Sequence, residues 1–138
     1  MRVMLDTNVF DGIVGTPGLV DRLNRLTRTG RLAILTTPVQ EQELAGMADP
    51  TRRRTAQRVE RQVVPTGDAP EGAGPSAASL MPTPKHWRDA AIGATASAAA
   101  DLLVTEDAGL ARRLAAHPGS CRVIAFAAFL ALVESLEA

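Results

Sequence analysis

The groups in this chain best suited to chemistry are acids placed where apolar runs stop. Val3, Met4 and Leu5 form an unbroken apolar run, followed at once by Asp6, Thr7 and Asn8. Such a run suits a strand buried on both faces, although periodicity alone also allows a buried helical segment. The three polar residues favour turns and helix caps, so the first strand is expected to end in a carboxylate. Open parallel sheets bind ligands just outside the carboxyl ends of their strands, which is where Asp6 would then sit. A plain capping Asp is the other reading of this stretch.

Three further acids occupy comparable places. Glu43 lies in the helix that follows a second apolar run at 32–35, and Asp107 follows Leu102-Leu103-Val104-Thr105. Asp89 lies in the first turn of an Ala-rich helix leading to that run. With parallel strands, Asp6, Glu43 and Asp107 share the carboxyl edge. Asp89 joins them if the segment before it delivers its helix start there. Four carboxylates meeting without Lys or Arg between them repel one another unless a cation neutralises them. Donors made only of hard oxygen suit Mg²⁺ or Mn²⁺. Such an ion can activate a water and stabilise a leaving oxygen, which is the chemistry of phosphodiester hydrolysis. Taken singly, Glu43 and Asp89 also suit the positive ends of helices.

The elements that must position these acids read in order as follows. A turn or short helix follows Asn8. A helix is expected at 17–29, with Leu19, Val20, Leu23 and Leu26 on one face and Gly30 at its C-cap. A strand at 31–36 precedes a helix at 38–47, with Thr37 as N-cap and Pro38 at its first position. A helix at 51–62 carries Arg52, Arg53, Arg54, Arg58 and Arg61, which make a solvated surface unless Arg52, Arg53, Arg54 and Arg58 line a path for RNA. A short edge strand ends at Pro65. Residues 66–84 are rich in Pro, Gly, Ala and Ser and are expected to form a long flexible loop. A helix at 86–100, a strand at 102–105, a helix at 108–116, a strand at 122–125 and a helix at 126–136 complete the chain. The last helix is apolar nearly all round, so burial by more than its own sheet is expected, with a subunit interface as one way to achieve it. Such alternation predicts an α/β fold: a three-layer α/β/α sandwich around a mostly parallel sheet of about five strands.

With 138 residues, this is enough for a single domain, 1–138, with a real core. A net charge of zero and 46% hydrophobic residues argue against global disorder and against a strongly basic nucleic-acid binder, while leaving room for a local basic groove. Cys121 is the only cysteine, so no disulfide within the chain and no Cys metal cluster is expected. No signal sequence is read before Asp6, and the apolar run at 123–133 is too short to span a bilayer, so a cytoplasmic location without membrane contact is expected.

The chain resembles the PIN domain, the ribonuclease fold of the VapC-type toxins of bacterial toxin–antitoxin systems. The resemblance is carried by VMLDTNVFDG, by TTPVQEQEL and by DAAIGATASAAADLLVTED, and it covers most of the chain apart from 66–84. It implies a metal-dependent endoribonuclease using Mg²⁺ or Mn²⁺, with Asp6, Glu43, Asp89 and Asp107 as catalytic and metal-binding residues. It further implies a cognate antitoxin and often a homodimer. Glu41 rivals Glu43, Glu106 rivals Asp107, and Asp101 rivals Asp89. Glu43 is preferred because Leu44 follows it, and Asp101 is expected at the wrong edge. Thr7, Asn8 and Thr105 are candidates to support the site or touch substrate, or else are caps and turns. The competing functional classes are a non-catalytic PIN-like module that binds RNA or protein and a housekeeping RNA-processing nuclease.

Overall fold

The fold follows from four short apolar runs that pair around the first of them. A computed structural model describes residues 1–65, 87–116 and 121–138, with only the backbone described at 87–90. The expected loop at 66–84 lies outside the described residues. In order, the elements are β1 (Arg2–Leu5), α1 (Thr7–Val14), α2 (Leu19–Arg28), β2 (Ala33–Thr36), α3 (Pro38–Ala45), α4 (Pro50–Gln57), β3 (Gln62–Val63), α5 (Trp87–Ala99), β4 (Leu102–Val104), α6 (Ala108–Ala115), β5 (Arg122–Ile124) and α7 (Phe126–Glu137).

The five strands form one sheet in the order β3-β2-β1-β4-β5, and every pairing is parallel. Strand β1 is central, with Met4 beside both Leu35 and Leu103. Alternation along the strands divides the core in two. Val3, Leu5, Ile34, Leu102 and Val104 point to one side, where α1, α2, α3, α4 and α7 cover them. Met4, Leu35 and Leu103 point to the other, under Ile92, Ala94 and Ala96 of α5 and Leu110 and Leu114 of α6. This is the expected three-layer α/β/α sandwich. Connections running from β1 towards β3 use one face and those running towards β5 use the other, as right-handed crossovers require.

Local chemistry sets the helix ends. The expected turn after Asn8 is a full helix, α1, burying Val9, Phe10 and Ile13. Helix α2 starts two residues later than expected, because its N-cap Gly18 takes φ 79°, a left-handed conformation that separates Pro17 from the helix. The Arg-rich helix stops at Gln57. Beyond it the buried Asn24 side chain donates to the Arg58 carbonyl (2.9 Å) and accepts from the Glu60 amide (2.8 Å), drawing the backbone out of the helix. Arg61 therefore lies outside that helix.

Helix α7 is only partly covered by the rest of the chain. Only Phe129 and Val133 are fully buried, Phe126, Leu130, Leu132 and Leu136 are partly so, and Ala127, Ala128, Ala131, Glu134 and Ser135 are exposed. The exposed alanines belong to the apolar character read from the sequence, and the chain itself does not cover them. Cys121 is half-buried, and burial pushes its thiol pKa up. Among the described residues no helix is long and apolar enough to cross a membrane.

Candidate active site at the carboxyl edge

The order of the sheet reverses direction between β1 and β4, and such a switch point opens a crevice above the carboxyl ends of the two strands. Asp6 stands there. It follows the last residue of β1, caps α1 and is 2% exposed. One carboxylate oxygen, Oδ1, accepts from the Thr7 amide (2.8 Å), and Oδ2 accepts from the Thr105 hydroxyl (2.8 Å). Both neighbours reach a second acid. The Thr7 hydroxyl donates to Glu43 Oε1 (3.2 Å), and the Thr105 hydroxyl accepts from the Asp107 amide (3.0 Å). Asp107 Oδ1 in turn caps α6 through the Leu110 amide (3.0 Å). Thr7, through its amide and hydroxyl, and Thr105, through its hydroxyl, thus link Asp6 to the residues expected from sequence, one towards α3 and one towards α6.

Asp89 falls in the first turn of α5, and its side chain lies outside the described residues. The backbone locates its end of the helix. The C-terminal end of α5 is at the amino edge of the sheet, where the Ala99 carbonyl accepts from Arg2 Nε (2.8 Å). Ten residues of helix, about 15 Å, carry position 89 back towards the carboxyl edge. Asp101 is at the amino edge, its carboxylate accepting from the Arg2 amide (2.8 Å). Glu106 is engaged elsewhere too: its Oε1 accepts from the Phe126 amide (2.7 Å) and caps α7, whose own N-cap, Ala125, has no side chain able to do so. The Glu106 amide donates to Asn8 Oδ1 (3.4 Å), so Asn8 braces the loop between β4 and α6.

Glu41 and Glu43, two residues apart on α3, point in different directions. Glu41 accepts twice from Arg61, at 2.8 Å to each oxygen, and once from the Thr36 hydroxyl (2.7 Å). The Arg61 guanidinium, helped by the Thr36 hydroxyl, holds the Glu41 carboxyl below the usual carboxylate range. Glu43 instead faces Thr7.

Glutamine 40 is a residue that reading by motif missed. It is fully buried, accepts from the Thr37 amide at Oε1 (2.8 Å) and donates from Nε2 to the Leu5 carbonyl beside Asp6. A polar residue three positions after an N-cap is the signal of a capping box, which Thr37 and Gln40 do form.

A divalent ion suits this donor chemistry. Mg²⁺ commonly takes one or two protein carboxylates and keeps several waters. Asp6 and Glu43, bracketing Thr7, supply carboxylates of that kind. Among the described residues no group of three or more His, Cys, Asp or Glu side chains is placed to hold a metal ion. The four arginines expected on an RNA path make contacts within the chain. Arg52 meets Asp11 (3.5 Å) and Arg58 meets Asp21 (3.0 Å), while Arg53 donates to the Met47 carbonyl (2.9 Å) and Arg54 to that of Pro50 (3.3 Å). A cleft of about 480 Å³ at the amino edge is lined by Arg2, Glu60, Arg61 and Gln62 among others. Its Glu60 and Arg61 are paired with Arg28 and Glu41.

Among solved structures, the chain is similar to the crystal structure of PAE2754 from Pyrobaculum aerophilum, with a TM-score of 0.61 and 16% identity, covering 98% of this chain and 90% of that one. At this identity the likeness bears on the fold alone. No family model and no curated protein matches the chain.

Proposed function

We propose that this protein is a PIN-domain endoribonuclease that hydrolyses RNA phosphodiester bonds with Mg²⁺ or Mn²⁺, and that it is the toxin of a type II toxin–antitoxin pair. One observation carries the reading: a 2%-exposed Asp6 at the switch point of a parallel sheet, linked through Thr7 to Glu43 and through Thr105 to Asp107. The motifs around these residues supply the family resemblance.

In this reading Asp6 and Glu43, with Asp89 and Asp107, hold the divalent ion. Bound there, the ion would lower the pKa of a water and offset charge on the leaving oxygen. Thr7 and Thr105 fix the carboxylate orientations by donating to them. The buried setting of Asp6 keeps competing solvent away from its oxygens. Arg52, Arg53, Arg54 and Arg58 are the candidate contacts to the RNA backbone. A cognate antitoxin, a homodimer and a cytoplasmic location belong to the same reading.

The test is an RNA-cleavage assay on purified protein freed of any partner, with and without Mg²⁺ or Mn²⁺, alongside Asp6→Asn. The parent is expected to cleave only with metal. The variant should lose that cleavage by orders of magnitude while unfolding within a few degrees of the parent. Asn keeps an acceptor for the Thr7 amide, and the Thr105 hydroxyl can turn to accept from the new amide. If Asp6→Asn leaves metal-stimulated cleavage untouched and lowers stability, Asp6 is a cap and the nuclease reading is wrong.

A further inference from the structure

We infer that Gln40 is a positioning residue: its side-chain carboxamide is inserted as an extra rung between β1 and β2, and it sets the placement of Glu43 relative to Asp6. The inference rests on the functional reading above and deepens it.

The register shows the insertion. Met4 lies beside Leu35, so the next step of the ladder puts Leu5 beside Thr36. The Asp6 amide points to β4, where it donates to the Val104 carbonyl (2.9 Å). Successive residues of a strand point to opposite neighbours, so the Leu5 carbonyl points to β2. The donor due to meet it in a parallel ladder is the Thr37 amide. That bond is replaced. The Thr37 amide donates to Gln40 Oε1 (2.8 Å), and the Leu5 carbonyl accepts from Gln40 Nε2. One carboxamide thus satisfies a donor on one strand and an acceptor on the other, parting the strands at the edge that bears the acids.

Three features make this a positioning device as well as a satisfied buried amide. Gln40 is 0% exposed, so water cannot substitute for its bonds. Its acceptor is the carbonyl of Leu5, one peptide before Asp6. Glu43 lies three residues further along the same helix, on the same side as Gln40. Glu43 is therefore registered against Asp6 twice, through the Gln40–Leu5 bond and through Thr7 (3.2 Å to Glu43). Supporting contacts of this kind hold coordinating carboxylates in usable geometry.

The experiment compares Gln40→Met, which keeps the volume and removes both bonds, with Leu26→Ala. Leu26 is buried on α2 near the amino edge, and its truncation destabilises the core without touching the acids. Mn²⁺ binding to the full chain is measured by titration calorimetry, with the melting temperature recorded for each protein. Gln40→Met is expected to weaken Mn²⁺ binding about tenfold or more. Leu26→Ala, with an equal or larger fall in melting temperature, should leave it within about twofold. Gln40→Asn keeps the carboxamide but is one methylene too short for both strands. It should weaken Mn²⁺ binding in the same direction, and it serves if the Met variant does not fold. Unchanged binding in the Gln40 variants, or a loss matched by Leu26→Ala, overturns the positioning role while leaving the nuclease reading intact. A parent that binds no Mn²⁺ and cleaves no RNA overturns both.

Discussion

Asp6 and Thr105, 99 residues apart in the chain, meet through a 2.8 Å hydrogen bond at the point where the strand order reverses. The Thr105 hydroxyl also accepts from the Asp107 amide, so one buried oxygen serves two acidic residues. Thr105→Val removes that oxygen at constant shape. It leaves the Asp6 carboxylate short of a donor and the Asp107 amide short of an acceptor, so a loss of about 1–3 kcal/mol is expected in urea denaturation. Thr105→Ser should retain most of the stability. Equal costs for the two substitutions would mean that the hydroxyl contributes nothing.

The contrast between Glu41 and Glu43 gives a prediction in pH. The Arg61 hydrogen bonds hold the Glu41 carboxyl below its usual range. A depressed carboxylate contributes its stability above the unfolded pKa, about 4.3, and loses it as pH falls through the lower folded value. The penalty of Glu41→Gln should therefore be full at pH 7 and shrink in acid below about pH 4.3. RNA cleavage by Glu41→Gln should stay within a few-fold of the parent, whereas Glu43→Gln should abolish it. The reverse pattern would make Glu41 the middle acid.

Gly12 is held without a side chain by its neighbour. A Cβ there would lie 2.8 Å from the Phe126 ring. Glu106 holds the Phe126 amide, and the buried Phe129 ring stands 6.5 Å from the Phe126 ring, centroid to centroid. Gly12→Ala should cost about 1–3 kcal/mol through overpacking. Adding Phe126→Leu should recover part of it, and a double-mutant cycle measures the coupling. Additive costs would mean that the contact relaxes freely.

The basic segment is testable through salt. If Arg52, Arg53, Arg54 and Arg58 meet an RNA backbone, each phosphate contact removed by Ala substitution should flatten the slope of log K against log salt by about 0.7 for single strands. An unchanged slope would assign these arginines to the surface ion pairs they make with Asp11 and Asp21 and to the carbonyls of Met47 and Pro50.

Much of this architecture is legible in the chain because short, fully apolar runs leave few alternatives. Val3–Leu5, the run ending at Thr36 and Leu102–Val104 read as buried strands, and each is followed at once by caps. The directions of Glu41 and Glu43 follow from helical geometry alone. What escaped is what depends on partners distant in sequence. Gln40 looks like one polar residue among several until β1 is placed beside it. The end of α4 is set by Asn24, more than thirty residues earlier. Helix α7 reads as apolar nearly all round, and within this chain three of its alanines, Ala127, Ala128 and Ala131, are left uncovered.

The pairing of β1 with both β2 and β4 has a consequence for how the protein is born. Strand β1 leaves the ribosome before β4, its second neighbour, and Thr105 comes 99 residues after Asp6. At about 5–20 residues per second, that interval lasts about 5–20 seconds of synthesis. A nascent chain that ends before β4 has β1 beside β2 with one edge bare, and its acid at position 6 lacks the hydroxyl that orients it. The hydrogen-bonded form of this edge therefore arises only once β4 has been made, and no fragment that ends before β4 can carry it.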